Sequence, residues 1–200
     1  MDSKTASKLV RHLVKPQYPP IARVNYIQGR VTLEVLVNRK GSVTDVHVVK
    51  GEPLLAAAAL KAVRKWRYGP FVSASGAKPF RTYVDVNFSL QTRRISELPS
   101  HPDEYLDKQI HPPEVVAHPD DESAADFVTL KVLVDSDGKV LDSMPLDRTD
   151  ASVDTARMKV RRWKFRPARW GTLAIPWYLV VKVPVEQALT HCRASNENIP

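Results

Sequence analysis

The chain contains two copies of one sequence unit, and this repeat limits its fold more than any other feature. Residues 31–88 align without a gap on residues 128–185, and 18 of the 58 aligned pairs are identical. The most similar stretch reads VTLEVLVNRKGSV from Val31 and VTLKVLVDSDGKV from Val128. A long repeat that occurs only twice is typical of tandem globular domains, because solenoids stack shorter units and need about three of them. The sequence therefore predicts two similar domains.

Basic residues are concentrated in the two repeats, and acidic residues lie between them. The chain of 200 residues has a formal net charge of +8, to which residues 1–90 contribute +10, residues 91–127 contribute −6 and residues 128–200 contribute +4. This distribution favours solubility and attraction to an acidic protein, an anionic polymer or lipid headgroups. Cys192 is the single cysteine, so an intrachain disulfide is excluded. No apolar run approaches the roughly 18 residues of a membrane span, so we expect a soluble chain or the soluble part of a longer protein.

Each repeat has the pattern of two strands, a helix and a third strand. Residues 31–37 place their apolar side chains on one face and carry a single charge, which is typical of a central strand. A short turn with Gly41 leads to residues 43–49, and this arrangement predicts a hairpin. Gly138 occupies the matching turn of the second repeat. A right-handed crossover through the helix then places the third strand beside the first.

The helix of each repeat carries one apolar stripe at the same spacing. Pro53 opens the first helix at a position where its missing N–H costs nothing, and Pro70 follows its end. We expect the stripe to face the sheet, with a tryptophan at one end of the core. The stripe residues are Ala56, Ala59, Val63 and Trp66 in the first repeat and Val153, Ala156, Val160 and Trp163 in the second.

The predicted fold class is α+β, with two tandem domains that each have a three-stranded antiparallel sheet of order 2-1-3 and a helix packed on one face. We predict a first domain at residues 1–92, an acidic linker at residues 93–122, and a second, degenerate domain with a C-terminal tail at residues 123–200. A short helix is predicted from Ser100 to Gln109, because Ser100 can cap it. Whether the two repeats pack as a pseudo-dimer is left open.

Several residues of the first repeat resemble the C-terminal domain of the TonB family. They are Tyr18-Pro19 with Ala22, Gly29 ahead of the first strand, Gly41 after it, and the helix ending Trp66-Arg67-Tyr68-Gly69-Pro70. The resemblance covers residues 16–90 fully. It is partial in the second repeat, where WKFRP at residues 163–167 matches the aromatic-proline ending. We therefore expect two TonB-like domains, of which the second is degenerate.

This resemblance implies a location and a partner. TonB C-terminal domains lie in the periplasm, tethered by an N-terminal inner-membrane helix that contacts a proton-driven motor complex. They bind a short peptide, the TonB box, of outer-membrane TonB-dependent transporters, and the peptide adds along the third strand. The implied function is a periplasmic protein-interaction module in energy transduction for transport. Inner-membrane motor proteins are implied as further partners, through an N-terminal region that this sequence does not include.

The predicted peptide-binding site is the third strand of the first repeat, together with the Tyr-Pro segment before it. Backbone groups of an exposed strand edge supply affinity, and alternate side chains supply selectivity. The residues are Arg81, Thr82, Tyr83, Val84, Asp85, Val86, Asn87, Phe88, Ser89, Leu90, Tyr18 and Pro19. Two interpretations of Tyr18 and Pro19 are open, namely support for one end of this strand and simple packing of the chain. Pro184 replaces Asn87 in the second repeat and cannot donate an N–H, so we expect peptide binding on the first repeat.

Other functions have weaker support in the sequence. The six histidines are scattered and no nucleophile has a recognisable base partner, so we expect no enzyme activity and no cofactor. The spacing of His101, His111 and His118 matches no metal motif and is typical of a polar linker. Basic helix ends next to aromatic residues suggest nucleic-acid binding, but Trp66 and Trp163 belong to the core stripe, so no specific nucleic-acid binding is expected. The main alternative is a soluble scaffold or sensor domain of a larger envelope protein, which binds cell wall or protein without energy transduction.

Overall fold

The computed structural model describes residues 3–73, 76–90, 110–119 and 126–185. Its first part contains α1 (Ser3–Lys8), β1 (Val10–His12), α2 (Pro20–Val24), β2 (Gly29–Val37), β3 (Val43–Lys50), α3 (Pro53–Val63), β4 (Arg67–Tyr68), β5 (Phe71–Ser73), β6 (Gly76–Lys78) and β7 (Phe80–Phe88). Its second part contains β8 (Ile110–His111), β9 (Glu114–Ala117), β10 (Asp126–Val134), β11 (Val140–Pro145), α4 (Ser152–Val160), β12 (Lys164–Arg166), β13 (Ala168–Trp170), β14 (Leu173–Ile175) and β15 (Trp177–Val185). Within these residues, no helix has the length and apolar character needed to cross a bilayer.

Both repeats form a three-stranded antiparallel sheet with the first strand in the centre. The strand orders are β3-β2-β7 and β11-β10-β15. In the first sheet the pairing of β2 with β7 is continuous from Gly29 opposite Phe88 to Val37 opposite Phe80. The antiparallel sheets and the 2-1-3 order predicted from the crossover rule are therefore present. That the two segments are tandem domains of one family stays a prediction.

The glycines of the two hairpin turns are required by backbone conformation and by space. Gly41 and Gly138 have φ angles of +83° and +78°, in the left-handed region that other residues rarely adopt. A Cβ atom at either position would overlap the backbone carbonyl of Tyr68 or Phe165, respectively. In the first repeat, the Tyr68 N–H also donates to the Gly41 carbonyl at 2.8 Å. The hairpin turn and the aromatic residue after the helix are thus in direct contact in both repeats.

The predicted helix stripes form the cores beneath the sheets. All eight residues named above are buried, including both tryptophans at 6% and 7% exposure. The Trp66 indole N–H donates to the Val14 carbonyl at 2.8 Å, so its polar atom is also satisfied. The buried tryptophans cannot provide the stacking surface that nucleic-acid binding would need.

Helix α3 is buried far more completely than its counterpart α4. Nine of the eleven residues of α3 are buried, but only three of the nine residues of α4. The reason is that α3 also contacts the second repeat, where it lies against β15. Leu133, Ala168 and Ile175 of the second repeat belong to the same core cluster as α3. The two repeats therefore pack on each other through α3, and the contact is asymmetric because α4 is buried on one face only.

Part of the predicted linker forms strands. Strand β8 pairs with β13, and β9 pairs with β12. This arrangement parallels the first repeat, where β1 pairs with β4 after the helix. The helix predicted at residues 100–109 lies outside the described residues, and the domain boundaries stay predictions.

Candidate functional site

Strand β7 pairs with β2 along one edge, and no strand pairs with its other edge in the part of the chain that the structure describes. Its side chains alternate between the core and solvent, as the sequence predicts for a strand on a helix-covered sheet. Val84 and Leu90 are half-buried, and the Leu90 N–H donates to Gln28 Oε1 at 2.6 Å just beyond the strand. The buried residues are Phe80, Thr82, Val86 and Phe88, and the exposed ones are Arg81, Tyr83, Asp85, Asn87 and Ser89.

Pro184 indicates which residues of β7 direct their backbone groups outward. Pro184 in β15 and Asn87 in β7 occupy equivalent positions in the two sheets. A proline is tolerated in a paired strand where its missing N–H would point away from the neighbouring strand. Because the direction alternates along a strand, the N–H and C=O groups of Arg81, Tyr83, Asp85 and Asn87 face the outer edge. The same four residues also carry the exposed side chains.

Cross-strand polar contacts hold these exposed side chains over β2. Glu34 Oε1 accepts a hydrogen bond from the Tyr83 hydroxyl at 3.2 Å and lies 3.5 Å from Arg81 Nη1. Asp85 accepts from Thr32 Oγ1 at 2.7 Å and lies near Arg30. Such exposed pairs contribute little stability, but they orient a cation, a phenol and a carboxylate along the strand.

Tyr18 supports the C-terminal end of β7. Its ring packs edge-to-face on Phe88 with the ring centroids 5.4 Å apart, and its hydroxyl donates to the Ile27 carbonyl at 2.6 Å. Burial raises the pKa of the Tyr18 phenol, so the hydroxyl stays a donor at neutral pH. Pro19, by contrast, precedes α2 and lines a cavity beside α3. Of the two predicted residues, Tyr18 therefore has the documented contact with the strand.

Helix α1 was not predicted and contacts β7. Ala6 is 2% exposed and belongs to the core cluster of the first repeat. Helix α1 therefore packs on the core of the first repeat and contacts β7. Its sequence, SKTASK, is short and polar, and gave no periodic signal.

The equivalent strand of the second repeat is less accessible. The Pro184 carbonyl already accepts a hydrogen bond from Lys159 Nζ at 2.9 Å, and Pro184 has no N–H to offer. At the other end of β15, Trp177 and Tyr178 pack against the core of the first repeat. Parts of the β15 edge are thus already occupied. The outer edge of β7, by contrast, has no strand partner among the described residues.

A buried polar contact that sequence reasoning missed joins the two repeats. The Asp142 carboxylate, 7% exposed, accepts a hydrogen bond from the backbone N–H of Val48 at 2.6 Å and lies 2.9 Å from His47 Nδ1. On its other side, His47 Nε2 is 3.2 Å from Asp45. Hydrogen bonds to Asp142 and then Asp45 raise the pKa of His47 to about 9. The signal was available in part, because Asp45 and Asp142 are equivalent residues of the repeat.

The structure describes two of the three histidines considered as metal ligands, His111 and His118. His118 stacks on Trp163 with ring centroids 4.8 Å apart, and His111 lies in β8, while His101 is outside the described residues. Within the described part of the chain, no group of three or more metal-binding side chains occurs.

Comparisons with known proteins give matches to the first repeat. Residues 14–90 match the family model described as the Gram-negative bacterial TonB protein C-terminal. Protein TonB of Xanthomonas campestris pv. campestris is 37% identical over 82 residues, which are 40% of this chain and 37% of the relative. Protein TonB of Vibrio cholerae is 28% identical over 85 residues, which are 42% of this chain and 35% of the relative. Residues 14–90 are therefore similar to the TonB C-terminal family.

A solved structure was also found. The solution NMR structure of the Pseudomonas aeruginosa TonB C-terminal domain is 25% identical, with a TM-score of 0.37, and the match covers 42% of this chain and 88% of that chain. The chain spans about a third of the length of the curated relatives that it matches.

Proposed function

We propose that the chain is a periplasmic, TonB-like interaction module that binds the TonB-box peptide of an outer-membrane TonB-dependent transporter by adding it as a strand to β7. In this proposal, the binding contributes to energy transduction for transport and involves no catalysis. The observation that carries it is the outer edge of β7, which has no strand partner within the described residues and belongs to the segment that matches the TonB family.

The chemistry of the edge fits an extended peptide. The outward N–H and C=O groups of alternate residues supply a ladder of backbone hydrogen bonds. The exposed side chains beside them present a cation at Arg81, a phenol at Tyr83 and a carboxylate at Asp85. Tyr18, packed on Phe88, fixes the end of the strand. Binding at the second repeat is expected to be weaker, because its edge carries a proline.

The chain itself suggests the decisive substitution. Asn87→Pro introduces into β7 the residue that β15 already accommodates at the equivalent position. The variant loses an outward N–H, so one peptide hydrogen bond is lost, at about 0.5–1.5 kcal/mol. The dissociation constant for a synthetic TonB-box peptide should therefore rise about 2- to 12-fold. Asn87→Ala removes the same side chain, keeps the N–H and should bind nearly as the parent does.

The readout is a titration of the full chain followed by backbone amide NMR shifts. Shifts concentrated at residues 80–90 in the parent and in Asn87→Ala, and weakened in Asn87→Pro, support the proposal. Circular dichroism must show that Asn87→Pro keeps its fold. Shifts concentrated at residues 177–185, or equal binding by all three proteins, would contradict it.

A further inference from the structure

A second surface of the molecule has the features of a binding site and lies away from the β7 edge. It is a groove of about 720 Å³ between α3, the segment before α2, and β14 of the second repeat. We refer to it as the α3–β14 groove. Its volume lies in the range of about 300–1,000 Å³ that is common for ligand sites.

The floor of the α3–β14 groove is apolar. Leu54 and Ala57 of α3 line it from one side, and Ile175 lines it from the second repeat. These three side chains are nearly fully buried, so the floor belongs to the core and is rigid. Leu173, which also lines the groove, is 53% exposed and would be covered by an occupant.

The rim of the groove is positively charged. Lys15, Lys61 and Lys65 line it, and no acidic residue of the described ranges does. All three lysines are exposed, and none of them has an ion-pair partner among the described residues. Lys61 lies in the last turn of α3 and Lys65 follows two residues after its end, and both line this one groove. A ligand with two or more negative charges would complement this rim.

Strand β14 adds a backbone contribution. It is the outer strand of its sheet, because β13 lies between it and β8. Four consecutive residues, 173–176, line the groove, although neighbouring side chains of a strand point to opposite faces. The groove therefore follows the edge of the strand, where N–H and C=O groups are available for an extended chain.

We propose that the α3–β14 groove binds an extended peptide segment of a partner protein in which acidic residues alternate with apolar ones. The apolar side chains would cover Leu173 and the floor, and the carboxylates would pair with the lysines. A peptide is favoured over an amphipathic lipid anion because only a peptide can also pair with the edge of β14. This proposal is independent of peptide binding at β7.

The test uses the full chain and a capped peptide of about eight residues in which glutamate alternates with leucine or valine. Lys61→Gln/Lys65→Gln removes two rim charges, and Lys40→Gln/Lys78→Gln removes two equally exposed charges elsewhere. We expect about tenfold weaker binding for the first double variant, equivalent to about 1.4 kcal/mol. The control should change by less than about twofold. Amide NMR shifts should appear at residues 173–175 and persist in Asn87→Pro.

Several outcomes would overturn the proposal. Equal losses of peptide affinity in the two double variants would show that the acidic peptide is attracted by the net positive charge of the chain and not by this groove. Shifts confined to residues 80–88 would assign the peptide to β7. Tighter binding of dodecanoate than of the peptide, with shifts at the same residues, would assign the groove to a small amphipathic anion. Binding that occurs only when Glu97, Asp103, Glu104 and Asp107 are replaced by their amides would make the chain's own acidic connector the occupant.

Discussion

Replacing Asp142 should lower the free energy of unfolding, because its carboxylate joins the two repeats. The equivalent residue of the first repeat, Asp45, provides the matched control. Asp142→Ala removes a buried carboxylate. This group accepts a hydrogen bond from the backbone N–H of Val48 at 2.6 Å and lies 2.9 Å from His47 Nδ1. The buried N–H of Val48 then has no acceptor from this side chain, and His47 loses its nearer carboxylate. Breaking a buried charged contact from one side costs about 3–5 kcal/mol. We expect a loss of unfolding free energy in this range.

Asp45→Ala is the control because Asp45 contacts the other nitrogen of the same histidine. Its carboxyl side chain is 40% exposed, against 7% for Asp142. An exposed ion pair contributes about 0–1 kcal/mol, so this variant should remain close to the parent in stability. Urea unfolding of both variants, followed by tryptophan fluorescence, measures the difference. Equal losses for Asp45→Ala and Asp142→Ala would refute the conclusion that the buried carboxylate of Asp142 stabilises the contact between the repeats.

The same contact predicts how stability depends on pH. The pKa of His47 is raised to about 9 in the folded chain, from an ordinary value of 6.5. The stabilisation is therefore complete below about pH 6.5 and is lost as the pH rises through 9. The groups around the ring are Asp45 and Asp142, with Arg161 near Asp45. We expect a loss of about 1–2 kcal/mol between pH 6.5 and 9, allowing for solvent screening, and a flatter profile in Asp142→Ala.

Four further predictions concern the core and metal binding. Trp66→Ala should cost about 3–5 kcal/mol in urea unfolding, and a melting temperature within a few degrees of the parent would show that the helix stripe is misassigned. Gly41→Ala should cost about 2–3 kcal/mol through strain and overlap, whereas Gly76→Ala, also at positive φ but in open space, should cost about 1 kcal/mol. Thr82→Val should raise stability by about 1 kcal/mol, because its hydroxyl is fully buried and has no hydrogen-bond partner among the described residues. Thr32→Val, which removes an exposed hydrogen bond, should not raise it. EDTA should leave the melting temperature unchanged, and a fall would point to a metal site.

The arrangement within each repeat could be predicted because it depends on short-range patterns. Alternation along residues 31–37 identified the central strand, and the spacing of the helix stripe identified the face that meets the sheet. Gly41 marked a turn that needs positive φ, as its angle of +83° confirms. Its contact with Tyr68 was not predicted, since periodicity carries no information about which turn meets which strand.

The packing between the repeats was left open, although the sequence contains a signal for it. The α3 sequence PLLAAAALKAV is apolar around its whole circumference, whereas the α4 sequence SVDTARMKV is apolar on one face only. A helix that is apolar all round requires neighbours on both sides. The His47–Asp142 contact gave only a partial signal, the equivalence of Asp45 and Asp142 in the repeat, because polar contacts across a long sequence separation have no local pattern. The candidate site was predicted as a whole strand, and burial divides it into outward-facing and inward-facing residues.

Helix α3 is buried on one side by its own sheet and on the other by the second repeat, and this burial determines which of its positions can be substituted. Within this helix only Ala58 and Lys61 escape burial, so polar substitutions should be tolerated at these two positions and rejected at the rest. Both positions line the α3–β14 groove. The variable surface of the helix therefore coincides with a wall of this groove, and related chains can alter what the groove accepts without disturbing either core. Saturation mutagenesis of residues 53–63, with the yield of folded protein as the measurement, should show that polar substitutions are tolerated only at Ala58 and Lys61.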